Sequence, residues 1–174
     1  MKQNQDKNPS CKLLSLKAAR HWATTARRSR RRIVATNGCF DLLHFGHVRY
    51  LQQARQLGDL LVVGLNSDAS VRRLKGPTRP LMPARQRAAV IAALSCVDAV
   101  VIFPQTRATK FLAAVQPDIY VKGGDYRPSS LDKSEQAILA GKGTRVRLLP
   151  LVPGCSTSAL VERIQRLAGK GMRA

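Results

Sequence analysis

The chain has 174 residues, 44% of them hydrophobic, which is typical of one globular domain with a buried core rather than of a disordered chain. Thirty Lys and Arg against ten Asp and Glu give a formal net charge of +20, so the partners to consider first are anions, either nucleic acid or phosphorylated molecules. No apolar run approaches the ~18 residues that span a bilayer, and the N-terminus lacks the apolar segment of a secretory signal. The composition therefore excludes membrane insertion and favours a cytoplasmic protein.

The positions of the basic residues and of the cysteines do not indicate one specific function. Residues 1–32 carry ten Lys or Arg and one Asp, with the densest cluster at 27–32. Such a cluster is compatible with a nucleic-acid patch, a solvated face, or an enzyme whose substrates are all phosphates. The four cysteines form no CxxC pair, so we expect reduced thiols and neither a disulfide framework nor a zinc cluster.

Apolar periodicity predicts a polar, disordered tail over 1–12 and a leader helix over 15–30, followed by alternating strands and helices. The predicted strands are 33–36, 60–65, 99–103, 119–121 and 146–149. The predicted helices are 46–57, 84–94, 106–115, 131–140 and 156–168. This alternation indicates an α/β fold: one domain over 13–168 with a five-stranded parallel sheet and helices on both faces. A C-terminal tail is predicted over 169–174.

Ligands of parallel sheets bind at the carboxyl ends of the strands, near the point where the strand order reverses. The candidate site is therefore made of the segments that directly follow strands. These segments are TNGCFDLLHFGH at 36–47, NSDASVRRLKGPTRP at 66–80, KGGDY at 122–126 and GCSTS at 154–158.

The first of these segments predicts a phosphate site. His44 and His47 are three residues apart at a predicted helix start, where free backbone N–H groups and a partial positive charge attract anions. Their imidazoles can donate hydrogen bonds to phosphate oxygens, and Gly38 and Gly46 allow close backbone approach. The alternatives are two ordinary surface histidines, or a metal site with Asp41 as third ligand, and we rank the metal site well below phosphate binding.

The other three segments have weaker individual signals. The segment 72–80 reads as a basic Gly/Pro loop with four cations, able to fold over a polyphosphate or simply solvated. The glycines at 123–124 indicate close approach to a bulky ligand or a plain turn, and Ser156 and Thr157 indicate a phosphate cradle or a helix cap. There is no activated nucleophile and no Walker motif, which favours direct phosphoryl or nucleotidyl transfer.

The motif NGCFDLLHFGH resembles the HxGH signature of the cytidylyltransferase-like nucleotidyltransferases. Together with NSDASV, LKG..RP, Gln86-Arg87, KGGDY and GCSTSALVERI, it is similar to the adenylyltransferases of ADP-heptose synthesis, over residues 12–167. The resemblance implies a Rossmann-like fold and transfer of AMP from ATP, with Mg²⁺, to D-glycero-β-D-manno-heptose 1-phosphate for the lipopolysaccharide inner core. It also implies a homodimer, and a separate sugar kinase, because this domain follows such a kinase in many relatives.

The resemblance implies roles residue by residue. The catalytic residues it implies are His44, His47, Lys75 and Arg87. The nucleotide-binding residues it implies are Asn37, Gly38, Cys39, Phe40, Gly46, Lys122, Gly123, Gly124, Ser156 and Thr157. The sugar-phosphate-binding residues it implies are Asp41, Asn66, Asp68, Arg79, Asp125 and Tyr126. No metal ligand is implied, because Mg²⁺ usually keeps waters and substrate phosphates as ligands.

Two departures from the family pattern and two alternative functions accompany this hypothesis. Ser158 stands where the family usually has Thr, and serine keeps the hydroxyl group. The cluster at 27–32 is more basic than the family needs. One alternative is a related cytidylyltransferase acting on glycerol 3-phosphate or another phosphorylated alcohol. The other is a nucleic-acid-binding protein, which eight aromatic residues in the whole chain make less favoured because stacking platforms would be few.

Overall fold

The computed structural model describes residues 9–124 and 131–171, which form one parallel sheet with helices on both faces. The strands are β1 Leu13–Leu14, β2 Ile33–Gly38, β3 Leu60–Asn66, β4 Ala99–Phe103, β5 Ile119–Gly123 and β6 Arg145–Leu149. The helices are α1 Leu16–Arg28, α2 Phe45–Arg55, α3 Asp68–Lys75, α4 Ala84–Ala92, α5 Thr109–Val115, α6 Lys133–Ala140 and α7 Thr157–Gly171, with a short 3-10 helix at Pro9–Lys12.

Two apolar layers hold the helices against the sheet. Every residue of β3 is buried, as expected for a strand covered on both faces. One layer packs α1, α5 and α6 on one face through residues such as Ala23, Phe111 and Leu139. The other packs α2 and α4 on the opposite face through residues such as Leu51 and Ile91. The α/β fold with helices on both faces is therefore confirmed.

The strand order β1-β4-β3-β2-β5-β6 places the reversal between β2 and β5. From β2 the chain proceeds outward through β3 to β4, and it then returns to the other side of β2 for β5 and β6. The pairing of β2 with β3 runs from Ile33 to Gly38. The pairing of β2 with β5 comprises only Val34 with Ile119 and Ala35 with Tyr120. The two strands therefore separate toward their carboxyl ends and open a crevice.

Three aspartates fix the opposite, amino-terminal end of the sheet. Each precedes its own strand and accepts a hydrogen bond from a backbone N–H at the start of the neighbouring strand, which sets the register of the two strands. The bonds run from Arg32 N to Asp59 Oδ2 (2.7 Å), from Leu61 N to Asp98 Oδ2 (2.8 Å) and from Ile33 N to Asp118 Oδ2 (2.7 Å).

Part of the basic cluster has a structural role at this end. Arg27 Nη1 donates to the carbonyl oxygens of Val115 at 2.8 Å and Gln116 at 3.3 Å, at the C-terminal end of α5, where a cation is favoured. Arg31 Nη2 donates to Asp59 O at 3.0 Å. These contacts account for two of the five arginines without any nucleic acid.

Three sequence predictions differ from the structure. The sheet has six strands rather than five, because β1 is a two-residue strand paired with β4 and is too short to show periodicity. The predicted loop over 72–80 is helical up to Lys75, because the Ser67 hydroxyl caps α3 and Val71 is buried; the chain leaves the helix only at Gly76, with φ of 96°.

The third difference lies at the N-terminus. Residues 9–12 form the 3-10 helix rather than a disordered tail, because Lys12 Nζ donates to Leu94 O at 3.2 Å and β1 follows directly. The remainder of the predicted tails, residues 1–8 and 172–174, lies outside the described residues. Among the described helices, none combines the length and the apolar character that crossing a membrane requires.

Candidate active site

A cavity of about 670 Å³ opens over the crevice between β2 and β5. Its walls come from the end of β2, the start of α2, the end of α3, the end of β5 and the turn before α7. The sequence-predicted residues among its lining are Asn37, Gly38, Cys39, Phe40, Asp41, His44, Gly46, His47, Lys75, Arg79, Lys122, Gly123, Ser156 and Thr157. Segments far apart in the chain thus meet at the place that the switch-point rule predicts.

The two histidines stand together at the start of α2. His44 is the N-cap residue and His47 lies one turn later. Their rings stack with centroids 3.9 Å apart, and the ring of Phe40 packs at an angle against His47, 5.2 Å away. Within the described residues, the Nδ1 atoms of both histidines are buried without a hydrogen-bond partner, so the pair has unused hydrogen-bonding capacity beside the cavity.

Both imidazoles are neutral at pH 7. Burial lowers the pKa of His47 to about 4, with further lowering from the neighbouring charges of His44 and Lys75 and a small opposing effect from the backbone of Leu42. Burial also lowers the pKa of His44. A neutral imidazole has one N–H donor, so the pair can donate hydrogen bonds to phosphate oxygens without carrying a permanent charge.

Gly46 allows the start of α2 to approach the turn before α7. A Cβ atom at Gly46 would lie 2.9 Å from the Cβ of Cys155 and 3.1 Å from two ring atoms of His44. The glycine therefore brings the histidine pair close to Ser156 and Thr157, which also line the cavity.

The start of α7 combines capping with a second set of donors. Ser156 Oγ accepts a hydrogen bond from Ala159 N at 3.1 Å, and the Thr157 hydroxyl is 3.5 Å from Leu42 O. The capping interpretation of Ser156 is thus correct, and it does not prevent the hydroxyl from donating to a ligand. With two helix N-termini facing one cavity, the site is suited to polyphosphate.

The floor of the crevice is polar. Asn37 Oδ1 accepts a hydrogen bond from Lys122 Nζ at 2.7 Å and another from the Tyr120 hydroxyl. Lys122 is buried, and burial lowers its pKa, with Glu135 acting in the opposite direction. Asn37 on β2 and Lys122 on β5 therefore bridge the crevice.

Asp41 and Arg79 lie in the cavity wall and bind each other. Asp41 Oδ2 is 3.0 Å from Arg79 Nη1, and Asp41 Oδ1 accepts from Leu81 N at 2.7 Å and Met82 N at 3.1 Å. The carboxylate is thus fully engaged in holding the loop after α3. No group of three or more His, Cys, Asp and Glu within 9–124 and 131–171 is placed to hold a metal ion.

Arg87 lies behind the cavity rather than in it. Its side chain is fully buried. It donates to the carbonyl oxygens of Met82 (2.8 Å), Asn66 (2.9 Å) and Cys39, and to Asp68 Oδ1 at 2.7 Å. The structure therefore makes Arg87 a support for the loops that carry the site, and Asn66 and Asp68 are its partners, outside the cavity lining.

The remaining predicted residues lie beside the site or outside the described chain. A Cβ atom on Gly124 would come within 3.2 Å of Leu149 O, so this glycine packs against the end of β6. Asp125 and Tyr126 lie outside the described residues.

Five lining residues were not predicted individually; Cys155 and Ser158 lie in the predicted segment 154–158, and the other three lie outside every predicted site segment. Tyr50 follows His44 and His47 at the same three-residue spacing, which was a usable signal for its place on that face of α2. Leu151 and Val152 follow β6 and line the cavity, and only the switch-point rule pointed to them, because they carry no polar group.

A parallel sheet with a polar crevice at its switch point, paired imidazoles and two converging helix N-termini is suited to an α/β enzyme that acts on phosphorylated substrates. The chain belongs to the cytidylyltransferase-like family, whose model matches residues 35–163.

Named relatives agree with this placement. The chain is 54% identical over 138 residues to the bifunctional protein HldE of Syntrophotalea carbinolica, covering 79% of this chain and 28% of that protein. It is 48% identical over 158 residues to HldE of Citrifermentans bemidjiense, covering 91% and 32%. It therefore spans about three tenths of the length of these relatives.

A solved structure gives a similar result. The lipopolysaccharide core biosynthesis protein of Thermoplasma volcanium superposes with a TM-score of 0.57 at 32% identity, covering 70% of this chain and 97% of that one. The 3-10 helix, β1 and α1 precede the region that the family model matches.

Proposed function

We propose that this protein transfers AMP from ATP to D-glycero-β-D-manno-heptose 1-phosphate, producing ADP-heptose and pyrophosphate for the lipopolysaccharide core. The observation that supports transfer at a phosphate is the stacked, neutral His44–His47 pair at the start of α2, facing the start of α7 across the cavity. The choice of heptose is supported by the high identity to HldE proteins and by the similarity to a lipopolysaccharide core biosynthesis protein.

In the proposed reaction a phosphate oxygen of the sugar phosphate attacks the α-phosphorus of ATP in line. The new P–O bond forms as the bond to the bridging α–β oxygen breaks, and pyrophosphate leaves with the electron pair. His44 and His47 donate N–H groups to phosphate oxygens, the Lys75 ammonium at the cavity edge neutralises developing charge, and Ser156 and Thr157 bind the phosphates. No covalent intermediate with the enzyme forms.

Mg²⁺ enters this scheme as part of the substrate, MgATP. The described cavity offers one carboxylate, Asp41, and its oxygens are engaged by Arg79 and two backbone N–H groups. The metal would therefore be held mainly by the ATP phosphates and water, as is usual for Mg²⁺, and it supplies charge neutralisation on those phosphates. The homodimer and the cytoplasmic location remain predictions that accompany this proposal.

Pyrophosphate release by the purified protein tests the proposal, with heptose 1-phosphate and either MgATP or MgCTP. We expect release with ATP that requires the sugar phosphate. Release with CTP alone would move the protein to the cytidylyltransferase alternative, and no release with either nucleotide across several sugar and polyol phosphates would contradict the proposal. His44→Ala and His47→Ala should each lower kcat by about 10²–10³, as expected for lost transition-state donors.

A further inference from the structure

The crevice between β2 and β5 is spanned by side chains where the backbone ladder stops. Beyond the pair Ala35–Tyr120, the Thr36 and Tyr50 hydroxyls each lie 3.0 Å from Val121 O and 2.7 Å from each other, so their two protons serve three contacts. One residue further along, Asn37 Oδ1 accepts from the Tyr120 hydroxyl and from Lys122 Nζ. The floor of the substrate cavity is thus a set of side-chain hydrogen bonds.

The identity of the donors fixes the orientation of the Asn37 amide. A lysine ammonium has three donors and no acceptor, so the Asn37 atom 2.7 Å from Lys122 Nζ must be the carbonyl oxygen. The Tyr120 hydroxyl donates to the same oxygen. The assignment of oxygen and nitrogen therefore follows from the partner and not from the appearance of the side chain.

The Asn37 oxygen is bonded to Tyr120 and Lys122, so the amide nitrogen points away from these two residues. Asn37 lines the cavity and is half-buried. Only its oxygen is bonded within the described residues. The amide N–H₂ group is therefore available to the cavity, where it can donate to an oxygen of a bound substrate.

We propose that Tyr120 and Lys122 are positioning residues that hold the Asn37 amide with its N–H₂ group toward the substrate, and that this group donates a hydrogen bond to a phosphate or hydroxyl oxygen. The inference rests on the proposed function for the nature of the substrate. The acceptor oxygen belongs to the nucleotide or to the sugar phosphate, and both carry the same chemistry. Asn37 touches the substrate, whereas Tyr120 affects the substrate through its bond to Asn37.

Inverting the polarity of residue 37 tests the donor. Asn37→Asp keeps the shape and the bond to Lys122 but presents an acceptor to the cavity, whereas Asn37→Ala removes the group. Dissociation constants for MgATP and for heptose 1-phosphate are measured separately by calorimetry. We expect at least one to rise by about 10- to 100-fold in Asn37→Asp and less in Asn37→Ala, and the ligand that responds identifies the acceptor.

A double-mutant cycle tests the positioning role. In the wild-type background, Tyr120→Phe should raise the dissociation constant of the same ligand by about threefold. In the Asn37→Ala background it should not raise that constant further, because Tyr120 affects the ligand through Asn37. Tyr50→Phe is the matched control: its hydroxyl bonds Thr36 and Val121 in the same crevice, so its effect should add to that of Asn37→Ala. A purely structural role for Tyr120 would also give additive effects.

The outcomes separate this inference from the proposed function. Unchanged affinity for both ligands in Asn37→Asp would overturn the inference even in an active enzyme. Additive effects of Tyr120→Phe and Asn37→Ala would overturn the positioning role. A wild-type protein that releases no pyrophosphate would contradict the proposed function, while the binding measurements would still decide the role of Asn37. Thermal unfolding of each variant checks that the fold is intact.

Discussion

His47 has a pKa that burial lowers into the acidic range, and this altered pKa links the stability of the fold to pH. Its pKa is about 4 in the folded protein and about 6.5 in an unfolded chain. Between these values the unfolded chain binds more protons, so the free energy of unfolding falls as the pH drops from about 6.5 toward 4. The stability contributed by neutral His47 is therefore present above pH 6.5 and lost in that window.

We predict that lowering the pH from 7 to 5 destabilises the wild-type protein more than His47→Gln, by on the order of 1 kcal/mol, a figure reduced for solvent screening. Urea unfolding at the two pH values measures it. His21→Gln, at an exposed site on α1, is the control and should show the wild-type pH dependence. Equal losses in wild type and His47→Gln would contradict the prediction.

Arg87 shows the limit of transferring roles by resemblance. The motif implied a phosphate-binding cation, but the side chain is enclosed and its donors reach Cys39, Asn66, Asp68 and Met82. A sequence shows that a cation is present and not which way it faces, so burial of this arginine could not be predicted. We therefore propose that Arg87 influences catalysis through the loops that it holds.

Arg87→Met should lower the free energy of unfolding by about 3 kcal/mol, because it leaves buried carbonyl oxygens and Asp68 without their donor. Arg85→Met, at an exposed position of the same helix, is the matched control and should change stability by less than about 0.5 kcal/mol. Denaturant titration compares the two. A fully stable but inactive Arg87→Met would instead favour a direct catalytic role.

Among the elements, the approach of α2 to the start of α7 depends on one missing side chain. Gly46→Ala places a Cβ 2.9 Å from that of Cys155, so the histidine pair and the turn before α7 must move apart. We expect kcat/KM to fall by about 10- to 100-fold, because small displacements of catalytic groups have large effects on rate.

Cys155→Gly removes the atom that Gly46→Ala would strike, so the double variant should recover part of the activity. Gln52→Ala, at an exposed position on α2, controls for adding alanine to this helix. Steady-state pyrophosphate release measures all four proteins. Wild-type activity in Gly46→Ala would show that the close approach is not needed.

Long periodic elements were predictable from sequence, and short or context-dependent ones were not. The strand at 99–103 was predicted with its observed bounds, because AVVIF is continuously apolar and fully covered strands require that pattern. By contrast, α3 was missed because four of its eight residues are charged and only Ser70 and Val71 are buried, which leaves almost no apolar repeat.

The site residues likewise divide into those with a signal in the sequence and those that depend on the tertiary structure. The histidine pair, Gly46 and the start of α7 were found because polar groups after strands are visible in a sequence. Leu151 was missed because an apolar side chain after a strand has no distinguishing signal. The Asn37–Lys122 bond depends on how far β2 and β5 diverge, and that divergence is a tertiary property.

At the scale of the whole molecule, basic residues lie at both ends of the sheet. Arg28 and Arg30 lie near the amino ends of the strands, a strand length of roughly 20 Å from the cavity at the carboxyl ends. That separation is about twice the Debye length at 0.1 M salt. Lys75, in contrast, lines the cavity.

We therefore predict that Arg28→Gln combined with Arg30→Gln leaves the KM for ATP within about twofold of wild type at 0.1 M salt, whereas Lys75→Met raises it by about tenfold. Initial rates at varied ATP concentration measure both. A comparable rise in the two variants would mean that the distant arginines contribute to nucleotide binding.

The separation of β2 from β5 also makes the sheet two leaves of unequal size, one of four strands and one of two. Two backbone residue pairs and a few side-chain bonds form the seam between them. The cavity is lined from both leaves, by β2 and by β5, so a ligand that binds there stabilises the folded state in which the leaves are joined. The contact between the two leaves is therefore strongest in the substrate complex, and the protein is most stable during catalysis.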